Sequence, residues 1–370
     1  MHRVSILKRL GISEMTMNAS SDTSIAQPAH GVIAVTKLGA PPWPTLDPFL
    51  FCVHHNDDYP AGNADMALNP EQLEGRNIGT DFSGKDGWSM YHGDTTPGFP
   101  RHPHRGFETV TLARRGYIDH SDSLGATARF GQGDVQWMTA GAGIVHSEMF
   151  PLLESGVSNP TELFQIWLNL AAEDKLKPPH FTMFWSEDIP RVRIPSAPSS
   201  TAGDTEVVVI AGPSPLGQLA PEPPPASWAS RAAAEVAIWT INLSSNATFQ
   251  LPSASPGLNR VLYFFAGEAI SVNGRTVTAG HAVQVQSDCE IELANTGEAA
   301  EILMLQGRPI GEPVAQHGPF VMNSNAEIRT AISDYQRSQF GAWQWPADGP
   351  VHARESGRFA QRPDGSIERP

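Results

Sequence analysis

Two alternating motifs limit the fold of this chain more than anything else in it: His102-Pro103-His104 and, about forty residues later, His146-Ser147-Glu148. Residues two apart on a β-strand point to the same face, so each motif can aim both side chains at one point inside a barrel. Two short strands then bring together three imidazoles and one carboxylate. Three neutral nitrogens and one anionic oxygen suit a divalent first-row metal, and an octahedral ion held this way keeps two positions free for substrate or dioxygen. His102, His104, His146 and Glu148 are therefore the expected ligands of a catalytic type of metal site.

Composition agrees with many short strands. The 370 residues suggest about two domains, and 33 Gly and 32 Pro against only 17% charged residues describe a turn-rich, all-β chain. A formal net charge of -14 argues against direct binding to nucleic acid, which needs concentrated Lys and Arg. Cys52 and Cys289 are too few for a disulfide framework, although a single bridge stays open, and a reducing compartment is expected. No apolar run reaches transmembrane length, and Val4-Ser5-Ile6-Leu7 is too short for a secretory core. The expectation is a soluble protein without a membrane partner, cytoplasmic, or nuclear if eukaryotic. Arg3, Lys8 and Arg9 admit an organelle presequence, but Glu14, Asp22 and the alternative starts Met15 and Met17 favour a disordered extension.

From Val32 the chain reads as strands between turns, Thr109-Val110-Thr111-Leu112 and Leu163-Phe164-Gln165-Ile166-Trp167-Leu168 being clear cases. The spacing of Gly116 and Gly133-Asp134-Val135-Gln136 is echoed by Gly267 and Gly280-His281-Ala282-Val283, which predicts a duplicated barrel. By those offsets His102 and His104 map to Ser253 and Ser255, and His146 and Glu148 to Leu293 and Asn295. Only the first barrel should carry metal. Ser324-Asn325-Ala326-Glu327 fits a capping box, and Ile328, Ala331, Ile332 and Tyr335 follow at helical spacing, so one helix is expected before Gly341. The expected divisions are an extension over 1–31, a metal-binding barrel over 32–189 and a Pro-rich bridge over 190–234. A second barrel with the helix follows over 235–346, then a surface tail over 347–370.

Other residues admit plainer roles. Glu108 has the strand parity of His104, which admits either an acceptor for a ligand imidazole or an ion pair with a residue such as Arg105. His54, His55, His92 and His120 read singly as surface or hydrogen-bonded residues. Phe99, Phe107, Phe130, Trp137 and Phe164 read mainly as packing, with stacking on a flat substrate as the alternative. Neither a phosphate-binding loop nor a serine nucleophile elbow is present.

The run from Gly98 to Thr111, with His102-Pro103-His104-Arg105-Gly106-Phe107-Glu108 at its centre, and Gly133-Asp134-Val135-Gln136-Trp137-Met138-Thr139-Ala140-Gly141 resemble the pirin family of bicupins. The likeness extends through Leu46-Asp47-Pro48-Phe49, His120-Ser121-Asp122-Ser123 and Gly318-Pro319-Phe320-Val321-Met322-Asn323. It covers most of the chain from Val32 to about Gly341. It implies two tandem double-stranded β-helix (cupin, jelly-roll) barrels with a short C-terminal helix, and iron in the first barrel, held by His102, His104, His146 and Glu148. Departures are Leu112-Ala113-Arg114-Arg115-Gly116, where many members have Tyr-Leu-Leu-Glu-Gly, and Ala142, where many have Arg or another longer residue. The long segment from His54 to Thr96 resembles a long-chain subgroup.

The leading expectation is an Fe(II)-dependent dioxygenase of the quercetin 2,3-dioxygenase type, other divalent first-row metals being alternatives. It would open a flavonol or related enolic phenol with O2, and Glu148 would also accept the substrate hydroxyl proton. Its partners are then a small aromatic substrate and dioxygen. The alternative, which the family's nuclear members suggest, is a redox-responsive metal-binding protein that acts through a protein partner.

Overall fold

The computed structural model describes residues 30–196 and 203–370. The extension expected over 1–31 lies, apart from its last two residues, outside the described residues. Val53–Ser186 and Glu312–Pro370 form one compact unit. The described residues of 30–52 and 187–311 form the other. Both are β-structures, as the turn-rich composition implies.

The first unit is built on two sheets. One runs in the order His180–Phe184, Val135–Thr139, Phe107–Arg115, Asn159–Asn169, Phe49–Tyr59. The other runs Ile367–Glu368, Phe359–Gln361, Thr127–Gly131, Tyr117–Asp122, Ile144–Met149, Gly98–His104. Ala113, Leu163, Phe181 and Met183 of the first sheet pack with Ile118, Ala128 and Phe130 of the second in one buried cluster. Every residue from Phe107 to Ala113 is buried, so both faces of that central strand are covered.

The second unit repeats this plan. Phe107–Arg115 pairs with Val135–Thr139 and Asn159–Asn169, just as Asn259–Ala266 pairs with His281–Val285 and Ala300–Gly307. Ile144–Met149 lies between Gly98–His104 and Tyr117–Asp122, just as Ile291–Asn295 lies between Thr248–Leu251 and Ala269–Val272. The duplication is therefore visible in the ladders themselves. The register equates His102, His104, His146 and Glu148 with Phe249, Leu251, Leu293 and Asn295. Three of those four counterparts are apolar core residues. Ser253 and Ser255, the counterparts given by simple offsets, lie past the end of Thr248–Leu251, because the turn before Asn259 shifts the spacing.

Three stretches differ from their expected roles. The helix Asn325–Ser338 forms with Ser324 as N-cap, its side chain accepting from the Glu327 amide. It belongs to the first unit rather than the second, because Ile328, Ala331 and Tyr335 pack with Val145 and Phe320. The stretch read as a surface tail enters the first unit's sheet, where Phe359–Gln361 pairs with residues 127–129 and Ala360 is fully buried. The Pro-rich bridge, read as mostly loop with residues 206–210 as its one strand-like piece, supplies two strands, Thr205–Ala211 at that piece and Arg191–Ile194 besides, to the seven-stranded sheet of the second unit. Both cysteines are free. Among the described residues no helix is long and apolar enough to cross a membrane.

Candidate metal centre

The two histidine motifs lie on neighbouring antiparallel strands. His102 is opposite His146 and His104 opposite Ile144, and the ladder slips one step between Phe99 and His102. Such a bulge re-aims side chains at a sheet edge. The strand that carries His146 starts from a turn that only glycine can make. Gly141 and Gly143 have φ of 48° and 132°, and a Cβ on Gly141 would stand 2.2 Å from the Lys177 carbonyl oxygen.

One ring nitrogen from each of His102, His104 and His146 lies within 4.8 Å of the other two. Burial pushes the His102 imidazole down to about 4, and those of His104 and His146 well below their usual range. Repulsion among the three acts in the same direction. All three are neutral at physiological pH. Nδ1 of His102 is 2.9 Å from the Pro100 carbonyl, which makes it the protonated nitrogen and leaves Nε2 with its lone pair. Nδ1 of His104 and both nitrogens of His146 are buried and meet no hydrogen-bond partner among the described residues. Convergent neutral imidazoles with unpaired nitrogens suit a divalent cation, which would meet the lone pairs that the protein leaves unmet.

Glu148 stands beside this cluster rather than within it. Its Oε2 is 3.9 Å from His146 Nε2, beyond hydrogen-bond range, while Oε1 accepts from the Thr111 hydroxyl at 3.0 Å. Burial raises its pKa, with His120 and the Thr111 hydrogen bond pulling the other way.

His120 is a site residue that reading each histidine singly misses. It is fully buried, it lies opposite Glu148 in the ladder, and its ring is 5.5 Å from that of His146. Its Nε2 is 3.2 Å from Asp122 Oδ2 and its ring stacks on Phe181. The signal was the same alternation, His120-Ser121-Asp122, that marks the ligands.

Glu108 accepts from Thr139 at 2.6 Å, while Arg105 pairs with Asp334 at 2.9 Å. His54 stacks on Phe164 and lies 2.9 Å from Glu162, which also engages Arg114 and Arg115. Phe107, Phe130, Trp137 and Phe164 are fully buried packing residues. Phe99 is only partly buried, with its ring 6.3 Å from that of His102. The long insertion adds to this side of the site. His92 and Tyr91 pack on Phe99, and the exposed Phe82 packs on both of them.

Two duplicated two-sheet units, one of them with a buried histidine cluster able to hold a metal, define a metal-binding bicupin. The chain belongs to the pirin family. The Pirin family model matches residues 36–168, and the model of the Pirin C-terminal cupin domain matches residues 238–341. The chain is 37% identical over 246 residues to Pirin-1 of Arabidopsis thaliana, a match that covers 66% of this chain and 78% of that one. It is also 37% identical over 244 residues to a Pseudomonas aeruginosa protein provisionally named quercetin 2,3-dioxygenase, covering 66% of this chain and 80% of that one. The fold resembles the crystal structure of a quercetin 2,3-dioxygenase from Acinetobacter baumannii. The TM-score is 0.64 at 24% identity, over 85% of this chain and 99% of that one.

Proposed function

We propose that this chain is an Fe(II)-dependent dioxygenase of the quercetin 2,3-dioxygenase type that opens a flavonol or related enolic phenol, with His102, His104, His146 and Glu148 as metal ligands. The observation that carries this reading is the convergence of three neutral imidazoles, His102 partly buried and His104 and His146 buried with unpaired nitrogens, beside a buried carboxylate. Iron, when bound, supplies Lewis acidity and a redox partner for dioxygen.

The protein's own groups have separable tasks. His102, His104 and His146 hold the metal, and the Pro100 carbonyl fixes the tautomer of His102. Glu148 accepts the proton of the substrate hydroxyl. Its raised pKa brings it closer to that of an enolic phenol, and Thr111 steadies Oε1 while Oε2 lies on the side of His146. Phe99 offers a partly buried aromatic surface beside His102 on which a flat substrate can stack. Phe107 and Trp167, packed against His104, help to keep bulk water from the reacting ring.

Aerobic turnover of a flavonol panel by iron-reconstituted protein, with oxygen uptake recorded, tests the proposal. Uptake matched to flavonol loss is the expected result. Metal-loaded protein that consumes neither would overturn it and move the weight to a redox-responsive binding protein.

A further inference from the structure

One cross-strand row inside the first unit has polar chemistry that the metal ligands do not account for. Thr111 lies opposite Gln136 in one ladder and opposite Gln165 in the other. Residues directly opposite one another in antiparallel strands share a face. The Thr111 hydroxyl shows which face this is, being 3.0 Å from Glu148 Oε1 and 2.6 Å from the Gln165 carboxamide. The whole row therefore points into the interior next to Glu148. Gln136 is fully buried, and neither its amide nitrogen nor its oxygen meets a hydrogen-bond partner among the described residues. Native folds rarely leave both ends of a buried amide unmet, because each end has given up water.

The duplicated unit acts as an internal control. Its equivalent row is Leu262, opposite Val283 and Met304, and all three sit in the apolar core. The fold itself thus accepts an apolar row here. Polar residues occupy it only in the unit whose strands also carry the histidine cluster.

We propose that Gln136 is a specificity-determining residue that contacts the substrate, and that it selects a planar aromatic compound with two adjacent ring hydroxyls. A carboxamide presents an acceptor and a donor side by side. One hydroxyl donates to the Gln136 oxygen, and its neighbour accepts from the Gln136 nitrogen. Thr111 and Gln165 already bond each other, which leaves Gln136 as the member of the row with both groups available. This assignment rests on the dioxygenase reading and narrows its substrate class.

The test is an anaerobic titration of metal-loaded protein with two flavonols, one with adjacent ring hydroxyls and one without, followed by flavonol absorption. Gln136→Met keeps nearly the same length and removes both polar groups. The expected result is about tenfold weaker binding of the dihydroxy compound and unchanged binding of the other, with metal content and thermal midpoint maintained. Gln136→Leu, a side chain that the second unit's row already accommodates, provides a second folded variant. Equal affinities in wild type and variants, or equal losses for both flavonols, would overturn the role of Gln136 while leaving the dioxygenase reading in place. If the wild-type protein binds neither compound, the dioxygenase reading falls and takes this inference with it.

Discussion

The Thr111 hydroxyl has one proton and two neighbours, Glu148 Oε1 at 3.0 Å and the Gln165 carboxamide at 2.6 Å. With Glu148 ionised, the proton serves the carboxylate, so Gln165 turns its amide nitrogen toward Thr111. One oxygen of Glu148 is held in this way, which leaves the other for the ligand and base roles proposed for it. Glu148→Gln keeps the shape and removes the basicity. We expect turnover at equal metal loading to fall at least roughly tenfold, and iron affinity to fall less, as read by oxygen uptake and metal titration. Equal turnover would remove the base role. Asp57 gives a second test at this scale. Burial pushes its carboxyl up to about 6, against hydrogen bonds from Tyr91 Oη at 2.6 Å and the Ser89 amide at 2.9 Å. A raised folded pKa means that stability is present at low pH and is lost as pH rises from 3.8 to about 6. Asp57→Asn should therefore gain on the wild type across that window, by roughly 2–3 kcal/mol, in urea unfolding at either end of it. Parallel pH dependences in the two proteins would exclude the effect.

At the scale of elements, the least legible part of the chain is the one that closes the first unit. Arg129 is fully buried and grips Asp119 with two bonds of 2.7 Å, and it also donates to the carbonyls of His352 and Ala353 at 2.9 and 2.8 Å. The Asp119 carboxylate takes the His352 amide at 2.7 Å. One ion pair thus anchors the segment that leads into Phe359–Gln361. That strand has only three residues, too few for an alternation to show, and its anchor lies more than two hundred residues away in sequence. Arg129→Met would leave Asp119 buried and unpaired, at a cost of about 3–5 kcal/mol. We expect fast hydrogen exchange over residues 352–361 in this variant, and unchanged protection there would refute the anchor. The helix is the opposite case. Its cap, its periodicity and its stop are all local, so Ser324 and the stripe Ile328, Ala331 and Tyr335 could be read directly from the sequence. Its partners Val145 and Phe320 could not, because packing between distant segments leaves no local pattern.

Across the whole molecule, the duplication was legible because Gly116 and Gly133 have counterparts in Gly267 and Gly280, all four with positive φ at strand ends. The lack of a His-x-His or His-x-Glu pair in the second copy was legible too, but not which residues replace the ligands: offsets point to Ser253 and Ser255, whereas the register gives Phe249 and Leu251. What the sequence hid was the row through Gln136, because a single glutamine in a strand is informative only once its cross-strand neighbours are known. Metal content follows from this asymmetry. We expect one metal per chain by mass spectrometry and its loss in His104→Ala, whereas two tightly bound metals, or unchanged binding in the variant, would contradict a single centre.

The first unit is discontinuous in the chain, made of residues 53–186 and 312–370. A ribosome that has finished its histidine strands must still make the whole second unit before residues 359–361 exist to complete the sheet. At 5–20 residues per second, that delay is roughly ten to forty seconds. During this time the half-built sheet offers an open edge at residues 127–129, where Phe359–Gln361 later pairs. The second unit needs only residues up to 311, its N-terminal part, which includes the strand Val32–Lys37, being made early, so it can close first. The order of synthesis therefore lets the second unit close before the first, whose sheet is completed only once residues 359–361 have emerged.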